Sequence, residues 1–184
     1  MSNKQALREL QQRLAQRMQA AREQQTQVAN WLAVECAGYG LLLSLKEAAE
    51  IFTPVALKPV PYSQAWLAGV ANLRGGLFTV IDLAVFLGLR ESSPRLELRS
   101  DAAQTRLVSL NPDLNINCAL LVDRLVGLRA DEQLQAEAPL PHELLPGARP
   151  RFAGPRMRDS EGRSWQQLHL DALSKHEQFL QVVV

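Results

Sequence analysis

The chain has 184 residues, 47% of them hydrophobic and 21% charged, with a net charge of +1. This is the balance of an ordinary globular protein of one large or two small domains, without the basic excess by which nucleic-acid and membrane-surface binders are usually recognised. Its two cysteines, Cys36 and Cys118, stand far apart with no Cys-x-x-Cys or Cys/His spacing, so no zinc site is legible and buried, reduced thiols are expected.

Residues 1–30 are rich in Gln, Arg and Ala. Leu7, Leu10, Leu14, Met18 and Ala21 recur at three- and four-residue steps, with Lys4, Arg8, Arg13, Arg17 and Arg22 between them. The spacing predicts an amphipathic helical extension whose thin apolar stripe suits docking on a surface or pairing with another helix. No signal-peptide core precedes it, and the longest apolar runs, such as residues 119–122, are far too short to cross a bilayer. A cytoplasmic location without membrane insertion is expected by elimination.

From Trp31 the texture changes to short strands. Residues 31–37 alternate at roughly period two, Gly38-Tyr39-Gly40 reads as a hairpin turn, and residues 41–45 return. Residues 70–73 and 77–81 form a similar pair around Gly75-Gly76. Asp82 then precedes Leu83, Phe86 and Leu87, spaced for a short helix capped by Asp82. Residues 90–104 are polar, contain Ser92-Ser93-Pro94 and lack periodicity, so they read as a linker. Residues 105–110, the turn Asn111-Pro112-Asp113 and residues 116–122 make a further hairpin. Many short strands with frequent turns predict small β-barrels or a sandwich.

A weak internal repeat runs through this pattern. Residues 45–51 resemble residues 122–128, Pro59-Val60-Pro61 is matched by Pro139-Leu140-Pro141, and Ile81-Asp82-Leu83 by residues 168–172, at offsets drifting from 77 to 89 residues. The shared order implies two similar barrels in tandem. The first would occupy about 31–89 and the second about 105–184, closed by residues 179–184. Each alone would bury little, so the two are expected to pack together.

Catalytic chemistry finds no foothold. His142, His169 and His176 are the only histidines, and none is spaced to activate a thiol. Ser44 and Ser109 lie in strand-like runs without a nucleophile elbow. Gly75-Gly76 is neither GxGxxG nor a Walker loop, so neither metal nor nucleotide cofactor is expected. Asp82 and Asp171 each precede a helix, which favours capping over a carboxylate pair. Arg149, Arg151, Arg156, Arg158 and Arg163 form a basic cluster, read as a solvated face because no aromatic side chains interleave beyond Phe152.

The run Gly69-Val70-Ala71-Asn72-Leu73-Arg74-Gly75, continuing to Asp82-Leu83 and Leu87-Gly88-Leu89, resembles the central signature of the CheW-like family. Val122-Asp123 resembles that family's second-barrel Val-Asp pair, and the likeness extends over about residues 31–179. Thr79 and Ala84 depart from it, standing where the family commonly has Pro and often has Arg. The N-terminal extension is more similar to the adaptors of type IV pilus chemosensory systems. The resemblance implies a mainly β fold of two tandem SH3-like five-stranded barrels with short capping helices. It also implies a non-enzymatic adaptor that joins the cytoplasmic tip of a methyl-accepting chemoreceptor to the regulatory domain of a CheA-type histidine kinase. It carries Arg74, Asn72 and Glu50 onto the receptor-facing surface. For Arg74 the residues themselves suggest an exposed head beside two turn glycines, or else a structural bridge to Asp82 or Glu50. A competing reading, an SH3- or OB-like nucleic-acid or protein-binding module outside chemotaxis, meets an aromatic content of 5% and a near-neutral charge.

Overall fold

A computed structural model describes residues 29–92, 103–139 and 149–184. The expected N-terminal helix, most of the linker, and Pro141 and His142 lie outside the described residues. Eleven strands and three short helices are seen among those residues. In chain order they are β1 (Ala29–Cys36), β2 (Tyr39–Ser44), β3 (Ala48–Phe52), β4 (Leu67–Leu73), β5 (Gly76–Asp82), α1 (Leu83–Phe86), β6 (Arg106–Leu110) and β7 (Cys118–Val122). Then follow β8 (Arg124–Ala130), β9 (Leu134–Ala136), β10 (Ala153–Asp159), β11 (Ser164–Leu168), α2 (Leu170–Ser174) and α3 (Glu177–Leu180).

The strands form a five-stranded sheet, β3-β6-β7-β5-β4, and a six-stranded sheet, β8-β1-β2-β11-β10-β9. Neither sheet follows one half of the chain. β1 and β2 join the later strands, and β6 and β7 join the earlier ones, so boundaries at 31–89 and 105–184 do not describe the sheets. The reason lies in two parallel pairings, β5 with β7 and β2 with β11, which draw strands from opposite halves into one sheet. Local repeats cannot reveal such an exchange, because parallel neighbours need long connections.

Each sheet curls on itself. In the five-stranded barrel Lys58 and Val70 exchange both backbone hydrogen bonds at 2.9 Å, bringing the segment after β3 against β4. Gly69 permits this approach: its φ is +140°, and a Cβ there would stand 2.5 Å from the Lys58 carbonyl oxygen. In the six-stranded barrel the outer strands β8 and β9 are consecutive, joined by a single 3-10 turn at Asp131–Gln133.

Strand alternation feeds three apolar clusters. Ala33 and Leu42 join Trp165 and Leu134 inside the six-stranded barrel, while Leu32, Val34, Leu41 and Leu43 point the other way. Likewise Ala119 and Leu121 fill the five-stranded barrel, whereas Cys118, Leu120 and Val122 face outward. The outward set forms the largest cluster, between the barrels. Each fully buried Leu or Val there contributes about 1.5–3 kcal/mol. Trp66, Phe86, Phe152 and Phe179 close it, with Phe86 edge-on to Trp66 and to Phe179 at 5.3 Å in each case.

The C-terminal segment departs from expectation. Phe179 is buried in that inter-barrel cluster, and Val183 bridges Ser63 of the other barrel, so residues 179–184 do not close the second barrel. Burial of the Phe179 ring carries the tail across the junction. Capping is also divided. Asp82 caps α1, its Oδ1 accepting from the Val85 N–H at 3.3 Å. Asp171 sits one residue inside α2 and pairs with Lys175 at 2.6 Å; His169 is the cap residue and offers no side-chain bond. The first α2 N–H, of Leu170, donates instead to Glu47 Oε2 at 2.7 Å, an acceptor supplied from the β2–β3 connection.

Candidate functional site

Both hairpin turns fall one residue earlier than their glycine pairs suggest. Ala37-Gly38 and Arg74-Gly75 are the turn residues, with φ of +50° and +83° in the first and +49° and +85° in the second. Two successive left-handed residues between paired strands make a two-residue turn whose twist matches the strands. Arg74 therefore forms the turn itself rather than ending the strand. A non-glycine residue there costs about 1 kcal/mol. Asn72 braces the turn: its Oδ1 accepts from the Gly75 N–H at 2.8 Å.

This tip stands over the seam of the five-stranded barrel, whose sheet ends in β3 and β4. Arg74 Nη1 lies 2.9 Å from Glu50 Oε2, with the two side chains 76% and 47% exposed. The guanidinium carbon sits 5.9 Å from the Phe52 ring centroid. Glu50 is held from behind, its N–H donating to Ser109 Oγ at 3.0 Å. The three residues carried by the family resemblance thus meet in one exposed place, and of the two structural bridges open to Arg74, Glu50 is the partner seen. Sequence reading missed their apolar neighbours. Leu77, paired in register with Asn72, is 66% exposed, and Ile51 is exposed beside Glu50. The signal was available: Val80 and Phe78 face the barrel interior, so alternation turns Leu77 outward. The exposed Arg74–Glu50 pair and these apolar neighbours together make one mixed surface patch.

Several of the other candidate groups are engaged in contacts within the fold. Of the basic cluster, Arg158 reaches Glu137 at 2.7 Å, Arg156 lies 3.8 Å from it, and Arg163 reaches Glu35 at 2.6 Å. Arg149 donates to the Gly154 carbonyl. Hydrogen bonds from Arg163 and Arg124 hold the Glu35 carboxyl below its ordinary range. Burial would raise Asp159, but the Trp165 indole and the N–H groups of Arg163 and Glu161 donate to it, and the net direction is down. Arg163 and Arg129 flank the Trp165 ring at 4.5 and 5.6 Å. Cys36 and Cys118 are free and buried, as expected, and desolvation pushes both thiols up to about 12. His176 packs edge-on against Phe152 at 5.0 Å. Among the described residues no group of three or more His, Cys, Asp or Glu could hold a metal ion, and no helix is long and apolar enough to cross a membrane.

Comparison with known proteins places these features in a lineage. Residues 30–178 match the family model of the CheW-like domain. Protein PilI of Pseudomonas aeruginosa is 26% identical over 166 residues, covering 88% of this chain and 85% of the relative. Among solved structures, that of the scaffolding protein TtCheW from Thermoanaerobacter tengcongensis superposes with a TM-score of 0.59 at 16% identity, over 77% of this chain and 88% of the other.

Proposed function

The chain belongs to the CheW-like domain family, non-enzymatic adaptors of chemotaxis-type signalling with a fold of two SH3-like barrels, and on that premise we propose that it couples a methyl-accepting chemoreceptor to a CheA-type histidine kinase. The observation that carries this reading is the family match, which spans strands of both barrels. Similarity to PilI supports a pathway controlling type IV pili and twitching motility. A cytoplasmic site of action follows from those partners.

In this reading the receptor's helical tip meets the Arg74 hairpin. Arg74 supplies a permanently charged planar fork, able to bond a carboxylate and a backbone carbonyl together. Glu50 and the Phe52 ring hold that fork near its working position, which reduces the rotamer freedom lost on binding. Asn72 sets the turn that projects it. Leu77 and Ile51 supply apolar contact for one face of a helix. The kinase's regulatory domain, itself barrel-like in this class, would dock along a strand edge.

The test is binding of wild type and Arg74→Ala to a receptor-tip fragment at two salt concentrations, with melts in parallel. A central contact predicts a loss of about 2 kcal/mol or more. A rim charge predicts a loss confined to association rate that fades with salt. Unchanged binding would remove Arg74 from the site. Absence of any complex with the kinase regulatory domain at tens of micromolar, both proteins being folded, would remove the coupling reading.

A further inference from the structure

The chain passes from one barrel to the other at residues 45–47, between β2 and β3, and at Asp123, between β7 and β8, and its C-terminal tail returns across the junction to Ser63. Asp123 is the single residue separating a strand of the five-stranded sheet from a strand of the six-stranded sheet. A one-residue connection between two packed bodies has the form of a hinge, since a few φ/ψ changes there rotate one body against the other.

That residue is held on several sides. Its N–H donates to the Glu35 carbonyl at 3.0 Å, and its Oδ2 accepts from the Ala37 N–H in the β1–β2 turn at 2.6 Å. Arg90 Nη1 donates to both carboxylate oxygens, at 2.7 and 2.8 Å. The other arm of the same guanidinium, Nη2, reaches Asp82 Oδ1 at 2.7 Å, where Asp82 ends β5 and caps α1. One side chain thus ties the crossover, and through Asp123 a turn of the six-stranded barrel, to the end of β5 in the five-stranded barrel. The three side chains are 22% (Arg90), 8% (Asp82) and 22% (Asp123) exposed, so solvent screens the contact only in part.

We propose that Arg90 is a latch on the Asp123 hinge, fixing the angle at which the two barrels sit. Elsewhere the barrels share the Leu170–Glu47 hydrogen bond, the backbone bridge of Val183 to Ser63 and a large apolar cluster, and apolar packing is non-directional. A planar fork gripping two carboxylates, one at the end of β5 and one at the crossover, is directional. Lysine, a point charge, can satisfy either carboxylate but cannot hold both at these angles. Arg90 is a positioning residue: it acts on partners only through the setting of the barrels.

The experiment is a distance measurement on the full chain with spin labels at Asp113→Cys and Glu161→Cys, both exposed, one on each barrel. The native thiols are buried and will not take label. The parent should give one narrow distance distribution. Arg90→Met and Arg90→Lys should each broaden it or add a second population, with the strand signal in circular dichroism retained. A folded Arg90→Lys protein whose distribution superimposes on the parent's overturns the proposal, whatever its melting temperature, because the pair would then be merely stabilising. If Arg90→Met does not fold, Arg90→Lys decides by the same criterion. Failure of both to fold overturns it too, the pair being then a folding determinant. The consequence for partners rests on the coupling reading: a receptor-tip fragment touching both barrels should bind Arg90→Lys about tenfold more weakly. A parent protein that binds no such fragment defeats the coupling reading and leaves the distance result standing.

Discussion

At the hairpin tip Arg74 meets Glu50 at 2.9 Å; at the barrel junction Arg90 meets Asp82 and Asp123 at 2.7 Å. Length hardly separates the two contacts, but their surroundings do. The Arg74 side chain is mostly in water, has one carboxylate partner and sits on a turn that could be withdrawn without opening the core. Arg90 is mostly covered, and its guanidinium bridges a carboxylate of the five-stranded barrel and the carboxylate of the crossover. Exposed pairs contribute little to folding because water and salt compete with them, which leaves their donors free for a partner. Covered pairs become costly once one member is removed, because the other charge stays behind without its solvent shell.

Substituting each arginine is the direct way to break this contrast. Arg90→Met should lower stability by about 2–3 kcal/mol, below the range for a fully buried pair because solvent reaches part of this one. For a chain of this size that is a fall of several degrees in melting temperature, measurable by calorimetry. A loss under about 0.5 kcal/mol would place Arg90 in the same class as Arg74.

A somewhat smaller effect should appear at the thiols. Both are desolvated, so neither should react with a thiol reagent at pH 8 faster than the protein unfolds. Both thiols lie in the cluster between the barrels, but Cys36 precedes the Ala37 N–H that Asp123 holds and feels the Asp123 charge, which Cys118 does not. Loosening the Asp123 crossover with Arg90→Met should therefore speed labelling of Cys36 by about tenfold, ahead of Cys118. Equal acceleration of both, followed by mass spectrometry, would mean that the variant opens globally.

Glu35 sharpens the comparison with an intermediate case. It receives Arg124 at 2.7 Å and Arg163 at 2.6 Å, linking β1 to β8 and to the turn before β11. These bonds hold its folded pKa below the ordinary 4.5, to which it returns on unfolding. The contribution is therefore complete above about pH 4.5 and is lost as pH falls through the lower folded value. Glu35→Gln should cost about 1 kcal/mol or less near neutrality, after allowance for screening, and should flatten the acid limb of a stability–pH curve. An acid limb as steep as the parent's would assign that limb to other carboxylates, Asp159 among them.

The smallest folding effect belongs to the tip. Arg74→Ala and Glu50→Ala, singly and together, should change stability by less than about 0.5 kcal/mol, with a coupling energy within the same bound. Relief of the left-handed strain is small for alanine, which shares the constraint; Arg74→Gly should be neutral or slightly stabilising. Denaturant melts suffice. A coupling above about 1 kcal/mol would make the pair a structural clasp on the barrel seam.

Much of this was legible before any coordinates. Period-two alternation and glycine-bearing turns placed paired strands within residues 31–45, 70–81 and 105–122, seen at 29–44, 67–82 and 106–122, and placed the Asp82 cap, because these depend on neighbours a few residues apart. The Asn72-Leu73-Arg74-Gly75 run pointed to the family, and its Arg74 meets Glu50 at an exposed tip that Asn72 braces. Both turns were misplaced by one residue, since a glycine pair does not say which glycine takes the second left-handed position. What depended on distant partners stayed hidden. Which strands share a sheet was decided by the parallel pairings of β5 with β7 and β2 with β11. The destination of the C-terminal tail was decided by burial of Phe179, and the meaning of Arg90 by the meeting of Asp82 and Asp123. Local preference is written residue by residue along the chain. A barrel junction comes into being only when apolar faces from separate strands exclude water together, and with it comes the charge constellation that sets its angle.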